Sequence, residues 1–152
     1  MMAQRRGLLK GAGALAALLA AGLLKPLAAL AAWNMDAFAS KRAADALNSL
    51  GLASTEPSSA IVIEAPQIAE NSALVPVEVM SRIPGTTAIA VLVEKNPYPL
   101  VAKFDFMEGA LPFVKVNMKM GETSDVRVVA TAGGKHYTAS KEIKVTIGGC
   151  GG

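Results

Sequence analysis

The residue best suited to chemistry is Cys150, the only cysteine of the 152-residue chain, which lies within Gly148-Gly149-Cys150-Gly151-Gly152. Its four neighbours carry no side chain, and glycine costs conformational entropy to fix, so the pattern predicts a flexible arm. Five extended residues span roughly 17 Å, and the relaxed arm would span about 12 Å. A thiolate is a soft nucleophile, so the sequence predicts a thiol that enters clefts on other proteins.

A mobile thiol is poorly suited to catalysis by the chain itself, because catalytic groups are normally locked in place by packing. His136, the only histidine, lies beside Tyr137 after the Gly133-Gly134 turn, where we expect a loop or strand-start histidine. A Cys150/His136 pair would also need a fixed arm and a third orienting group. The sequence therefore predicts a non-catalytic protein without a cofactor or a resident metal.

The spacing of three methionines raises an alternative function, which is copper binding. Met118 and Met120 alternate along a predicted strand and share a face, and Met107 lies nearby in sequence. Thioether and thiolate ligands select Cu(I), although methionine commonly fills gaps in a core. A copper-binding β-sandwich therefore stays open as an alternative function.

The other end of the chain has the layout of an export signal. Arg5 and Arg6 precede an apolar run from Leu8 to Leu24, and Ala29-Leu30-Ala31 has the small-residue pattern of a cleavage site. The arginine pair and the residues after it resemble the twin-arginine signal. A transmembrane anchor is the weaker interpretation, because the run is rich in Gly and Ala and is interrupted by Lys10. We expect export to the periplasm by the twin-arginine route.

The charge and the cysteine content limit the classes of partner that the sequence predicts. The chain has 15 basic and 12 acidic residues. Four of the basic residues and no acidic residue lie in the expected signal, which leaves a formal charge of −1; they are Arg5, Arg6, Lys10 and Lys25. Without a basic stripe, neither nucleic acid nor a membrane surface is an expected partner. A lone cysteine in an oxidising compartment is free, joined to another molecule or chemically loaded.

We divide the chain into four parts: a signal peptide at 1–31, a helix and linker at 32–59, a β-sandwich at 60–147 and the arm at 148–152. Helical spacing of apolar residues predicts one amphipathic helix from Asn34 to Leu50, capped by Gly51. Phe38 and Leu47 lie on its apolar stripe and are expected to contact the main domain.

From Ala60 onward the apolar period changes to two. Seven β-branched runs are predicted as strands: 61–63, 74–80, 88–93, 100–106, 113–120, 126–131 and 137–147. Turn signals separate them, namely Pro84-Gly85, Asn96-Pro97, Glu108-Gly109, Met120-Gly121 and Gly133-Gly134. Short strands with no helix between them are typical of a mainly β fold, an antiparallel sandwich of immunoglobulin type.

Three segments carry a resemblance to a known family: the tail Ile147–Gly152, the stretch Val91–Leu100 and the stretch Lys119–Arg127. Together they resemble SoxY, the sulfur-carrier family of the periplasmic thiosulfate-oxidising system. The resemblance implies a heterodimer with SoxZ and covalent attachment of sulfur intermediates to Cys150. It also implies transient partners: a c-type cytochrome, a dimanganese hydrolase and a sulfane dehydrogenase.

Two further alternatives remain. The terminal Gly151-Gly152 pair is similar to the thiocarboxylate tail of ubiquitin-like sulfur carriers, although those are cytosolic. A structural β-sandwich module with a disordered tail would also have this sequence pattern.

Overall fold

A computed structural model describes residues 34–146 of the chain. Within that range there are two helices, α1 (Met35–Ala39) and α2 (Ala43–Ser49). The nine strands of the same range are β1 (Glu56–Pro57), β2 (Ile61–Glu64), β3 (Ile68–Ala69), β4 (Val75–Ser81), β5 (Thr86–Val93), β6 (Leu100–Asp105), β7 (Phe113–Met118), β8 (Ser124–Ala132) and β9 (Lys135–Val145). The expected signal peptide and the glycine arm lie outside the described residues.

The strands form two sheets. In the described part of the chain, the larger sheet has the order β1-β9-β8-β5-β6, with β3 also pairing with β9, and the smaller has the order β2-β4-β7. All pairs are antiparallel except β1 and β3, which run parallel to β9. The seven predicted strands correspond to β2 and to β4 through β9, and each predicted turn lies between two of them. The predicted mainly β antiparallel sandwich is confirmed.

The core between the sheets is built from the alternate positions that the period of two predicts. Val77 and Val79 of β4 are fully buried with Ile89 and Val91 of β5 and Val128 of β8. Burying such a side chain contributes about 1.5 to 3 kcal/mol, so this alternation holds the two sheets together. The β8–β9 hairpin closes through Gly133 and Gly134, whose φ values of 57° and 74° suit a two-residue turn.

The helical segment differs from the prediction of one continuous helix. Ser40 and Arg42 both have extended backbone, with ψ of 138°, and separate α1 from α2. The Ser40 hydroxyl donates a hydrogen bond to the Asp36 carbonyl at 2.7 Å, a local bond that competes with continued helix. Asn34 ties the two helices together, since its amide nitrogen donates to the Ser49 carbonyl at 2.6 Å. The expected cap is confirmed at Gly51, which has φ of +72°.

The helices cover the outer face of the larger sheet. Leu47 of α2 is 5% exposed and belongs to a second apolar cluster with Leu92 and Val129. Phe38 is partly buried against the same cluster, so the expected contact of the Phe38/Leu47 stripe with the sandwich is confirmed. Within residues 34–146, no helix is long and apolar enough to cross a membrane.

Candidate functional site

The predicted site residues themselves lie outside the described range. These are Cys150, its neighbours Gly148, Gly149, Gly151 and Gly152, and the signal arginines Arg5 and Arg6. The described chain reaches Thr146, four residues before Cys150. The arm begins from the arm root, defined as Lys144, Val145 and Thr146.

Three successive amides of the arm root are hydrogen-bonded. Lys144 N–H donates to the Gln67 carbonyl at 2.9 Å, and Thr146 N–H donates to the Ala69 carbonyl at 3.3 Å. Between them, Val145 N–H points to the opposite side and donates to the Thr123 hydroxyl at 2.9 Å. The arm root is thus held on both sides, by the β3 segment and by one threonine side chain.

The loop that carries Thr123 is fixed by Asn96. The Asn96 side chain donates to the Lys119 carbonyl at 2.7 Å and accepts from Gly121 N–H at 3.1 Å. Met120 N–H donates to the Ser72 carbonyl at 2.8 Å, and the Met120 side chain is fully buried in the core. A short loop with these contacts has little freedom to move Thr123.

Two stretches that are distant in sequence meet beside this loop. Lys95 N–H donates to the Ser124 hydroxyl at 3.1 Å, and Glu94 N–H donates to the Asp125 carbonyl at 3.0 Å. Arg127 Nε lies 2.8 Å from Glu94 Oε1, but this buried oxygen accepts no directed hydrogen bond within the described structure. The pair is therefore a charge contact. The stretches that resemble SoxY, Val91–Leu100 and Lys119–Arg127, together build the end of the sandwich from which the arm starts.

Apolar side chains are also exposed at this end. Ile68 is 54% exposed, Leu74 is 57% exposed and Tyr98 is 52% exposed. The Lys41 ammonium lies 3.5 Å from the centroid of the Tyr98 ring. A hydrogen bond with Lys41, and then its positive charge, lower the pKa of the Tyr98 phenol. Lys41 lies in the break between α1 and α2.

The other residues considered for chemistry are not assembled into a site. His136 is the second residue of β9, and its Nδ1 lies 3.1 Å from the Thr131 hydroxyl, as expected for a strand-start histidine. Met118 and Met120 are buried in the core, whereas Met107 is 85% exposed. Residues 34–146 contain no group of three or more His, Cys, Asp or Glu that could hold a metal ion.

One cavity within residues 34–146 has a volume of about 500 Å³ and lies between the β4–β5 and β6–β7 loops. Arg82, Phe106 and Met107 are among its lining residues. These loops are at the opposite end of the sandwich from the arm root, and ten residue steps of β9 span about 33 Å. Four residues beyond Thr146 reach only about 14 Å, so this cavity is out of reach for Cys150 of the same chain.

Thr123, Asn96 and strand β3 were not identified from the sequence as parts of the site. The signals were present but weak, since Asn96 occurred only as a turn residue before Pro97 and Thr123 only within a matched stretch. Their roles depend on contacts between residues more than 20 positions apart, which local patterns do not reveal.

Comparisons with known proteins point to one family. A family model described as sulfur oxidation protein SoxY matches residues 47–150. The solved structure of the sulfur carrier protein SoxY from Chlorobium limicola f. thiosulfatophilum is 41% identical, with a TM-score of 0.64, over 75% of this chain and 100% of that chain. No curated protein matches the sequence.

A superoxide reductase (neelaredoxin) from Ignicoccus hospitalis matches 64% of this chain and 86% of its own, with 19% identity and a TM-score of 0.51. At that identity the likeness shows a similar fold and nothing about chemistry. The family match and the 41% identical carrier both cover most of the chain. The chain therefore belongs to the SoxY family of sulfur oxidation proteins.

Proposed function

We propose that this chain is a covalent carrier of sulfur intermediates in the oxidation of thiosulfate to sulfate, with Cys150 as the attachment point. The observation that carries the proposal is the family match, which extends from residue 47 to Cys150 itself. The relative from Chlorobium limicola is described as a sulfur carrier protein. Flanking glycines suit this role, because they let one thiol enter several unrelated clefts.

Thiolate chemistry supports the same role. In oxidative loading, the Cys150 thiolate forms an S–S bond with the outer sulfur of thiosulfate, and two electrons leave to an acceptor, for which the family resemblance suggests a c-type cytochrome. Hydrolysis of the bond to the sulfonate group then releases sulfate and leaves a persulfide on the cysteine. Oxidised and persulfidated states of this kind are accessible to an exposed thiolate.

The chain does not supply the catalytic groups for these steps in our proposal. It presents the intermediate, and tethering keeps that intermediate at a high effective concentration near each successive enzyme. The proposed partners are SoxZ in a heterodimer, and transiently the cytochrome, a dimanganese hydrolase and a sulfane dehydrogenase. No cofactor is proposed beyond the sulfur bound to Cys150.

We further propose that the protein works in the periplasm after twin-arginine export. The support is the arginine pair Arg5-Arg6 followed by an apolar run and a small-residue cleavage pattern. Replacing both arginines by lysine should leave the precursor in the cytoplasm, as cell fractionation would measure. Normal export of that double variant would contradict the assignment.

The carrier role is tested by the substitution Cys150→Ser, because an alcohol oxygen cannot accept and release sulfane sulfur. We expect normal folding and partner binding, with thiosulfate oxidation by the reconstituted system at background level. A matched control is the double variant Cys150→Ser/Ser140→Cys, which returns a thiol at an exposed position of β9 away from the arm. We expect it to stay inactive.

Wild-type protein taken during turnover should carry mass additions only on its C-terminal peptide, of about 32 Da for each sulfane sulfur and about 112 Da for a thiosulfate adduct. Retained activity of the serine variant, or adducts elsewhere in the chain, would contradict the proposal. Sulfur found on the terminal carboxylate would instead support a thiocarboxylate carrier. Copper binding that is lost on Cys150→Ser would support the copper-binding alternative.

A further inference from the structure

We propose that Thr123 is a positioning residue that anchors the arm root and so sets the point at which the arm becomes free. This inference rests on the proposed carrier function, since the position of the arm matters only if Cys150 is presented to other proteins. The carrying observation is the bond from Val145 N–H to the Thr123 hydroxyl at 2.9 Å.

The strand pairing explains why this bond is needed. The last residue pair between β8 and β9 is Ser124 with Ile143, so β8 has ended before the arm root begins. Successive amides of a strand point to opposite sides. Lys144 and Thr146 donate to the β3 side, so the Val145 amide points to the side where β8 has ended, and its acceptor there is the Thr123 hydroxyl. A single hydroxyl therefore takes the place of the missing strand.

The hydroxyl is held in a fixed position by contacts on the other side of its loop. Asn96 bonds to both Lys119 and Gly121 with its side chain, and Met120 is fully buried. The anchor is thus continuous with the core, through Asn96 and Met120 to Thr123 and then to Val145. An anchor on a mobile loop would not have this effect.

The anchor limits how much of the chain is free. With it, the described chain is hydrogen-bonded through Thr146, and Cys150 lies four residue steps beyond Thr146. Without it, the arm root keeps its bonds to Gln67 and Ala69 but loses the bond on its other side, so separation of the arm root from the sheet becomes more frequent. Each additional mobile residue must lose conformational entropy when the arm enters an enzyme cleft. The added freedom should therefore weaken capture of the arm without changing the chemical step.

The test compares three variants of the full chain in its complex with the partner subunit. Thr123→Val keeps the side-chain shape and removes the acceptor, whereas Thr123→Ser keeps the hydroxyl. Thr138→Val is the same substitution on β9, where the Thr138 hydroxyl donates to the Val128 carbonyl at 3.0 Å. Amide hydrogen exchange is measured at Val145, and enzyme kinetics are measured with the carrier as the varied component.

For Thr123→Val we expect amide exchange at Val145 to be about fivefold faster, as for loss of one hydrogen bond. We also expect KM for the carrier to rise about threefold with kcat unchanged. Thr123→Ser should restore both values. Thr138→Val should change neither, although it also removes one hydrogen bond between a threonine hydroxyl and the backbone.

Unchanged exchange at Val145 in Thr123→Val would overturn the anchor, and faster exchange with an unchanged KM would overturn the positioning role. Failure of the carrier function gives a different result. If wild-type protein accepts no sulfur, the carrier proposal and the positioning role fall, while exchange at Val145 still decides whether Thr123 anchors the arm root.

Discussion

At the scale of single residues, the arm root is held by neutral hydrogen bonds rather than by charge. The donors are the amides of Lys144, Val145 and Thr146, and the acceptors are two carbonyls and the Thr123 hydroxyl. Neutral bonds of this kind are little affected by salt or by pH in the neutral range, whereas exposed ion pairs are weakened by salt. We therefore expect the arm root to stay ordered over a wide range of salt concentrations near neutral pH.

One titration at this end of the molecule is testable. The pKa of Tyr98 is lowered from its ordinary value of 10.0, first by a hydrogen bond with Lys41 and then by its charge. We expect Lys41→Met to raise the pKa of Tyr98 towards the ordinary value. Spectrophotometric titration in a Tyr137→Phe background would measure this change, because Tyr98 is then the only tyrosine.

The sign of the accompanying stability effect follows from the lowered pKa. A depressed folded-state pKa contributes stability above the unfolded-state pKa, and that contribution is lost as pH falls through the folded-state pKa. The contact with Lys41 should therefore matter to stability through this titration only in alkaline solution. For the titration of Tyr98, the control variant is Lys135→Met, which removes a lysine at the opposite end of the sandwich. An equal change in the Tyr98 pKa for both variants would contradict the assignment.

At the scale of elements, the helices act as a cover for one face of the larger sheet. Neither α1 nor α2 is long enough to be stable alone, since isolated helices below about 12 residues are marginal in water. Their apolar side chains, including Leu47, fill a cluster with Leu92 of β5 and Leu100 of β6. The helices are thus stabilised by the sheet that they cover.

This dependence leads to a stability prediction. Leu47→Ala should lower the free energy of unfolding by about 2 to 5 kcal/mol, because it leaves a cavity in the second cluster. Thermal or urea unfolding followed by circular dichroism would measure the loss. Met35→Ala is the control, since Met35 is 69% exposed and its removal should change stability by less than about 0.5 kcal/mol. Equal losses in the two variants would contradict the proposed cover.

The arm as an element should act through its freedom as well as its thiol. In the double variant Gly148→Val/Gly149→Val we expect an unchanged melting temperature and slower turnover, because β-branched side chains add bulk and restrict the backbone. Steady-state thiosulfate oxidation with the reconstituted system would measure the rate. Gly148→Ala/Gly149→Ala is a milder control and should lie between the double valine variant and wild type. A wild-type rate in the valine variant would show that steric access is not limiting.

At the scale of the whole molecule, the two ends of the sandwich differ. One end carries the arm root with exposed Ile68 and Leu74, and the other carries the 500 Å³ cavity with exposed Met107 and Leu111. β9 links the two ends and is the strand to which β1, β3 and β8 all pair. The arm root and the loops at the other end of the sandwich are therefore separated by a long strand that is paired with three others.

Without the predicted signal peptide at 1–31, the chain would have a formal charge of −1, and a net charge near zero does little to prevent association. We expect it to form a stable heterodimer with SoxZ. Sedimentation velocity of the two proteins mixed at micromolar concentration should show one species of the summed mass. A monomer of this chain that persists in the mixture would contradict the prediction. The Cys150→Ser variant should pair equally well, because the thiol is not expected to contribute to the interface.

The sequence by itself determined the class of the fold and the family, because both are encoded in local patterns. Apolar residues at every second position, such as Val77 and Val79, predict a strand, and the Gly133-Gly134 pair predicts a hairpin turn. Both patterns involve neighbouring residues alone. The Cys150 arm is likewise a contiguous motif.

Only the tertiary structure decided how the arm starts. Thr123, Asn96 and β3 act through hydrogen bonds between residues more than 20 positions apart. Likewise, Lys41, in the break at Ser40–Arg42, contacts the distant Tyr98 ring. Such pairings follow from the register of the strands, which local sequence patterns do not specify.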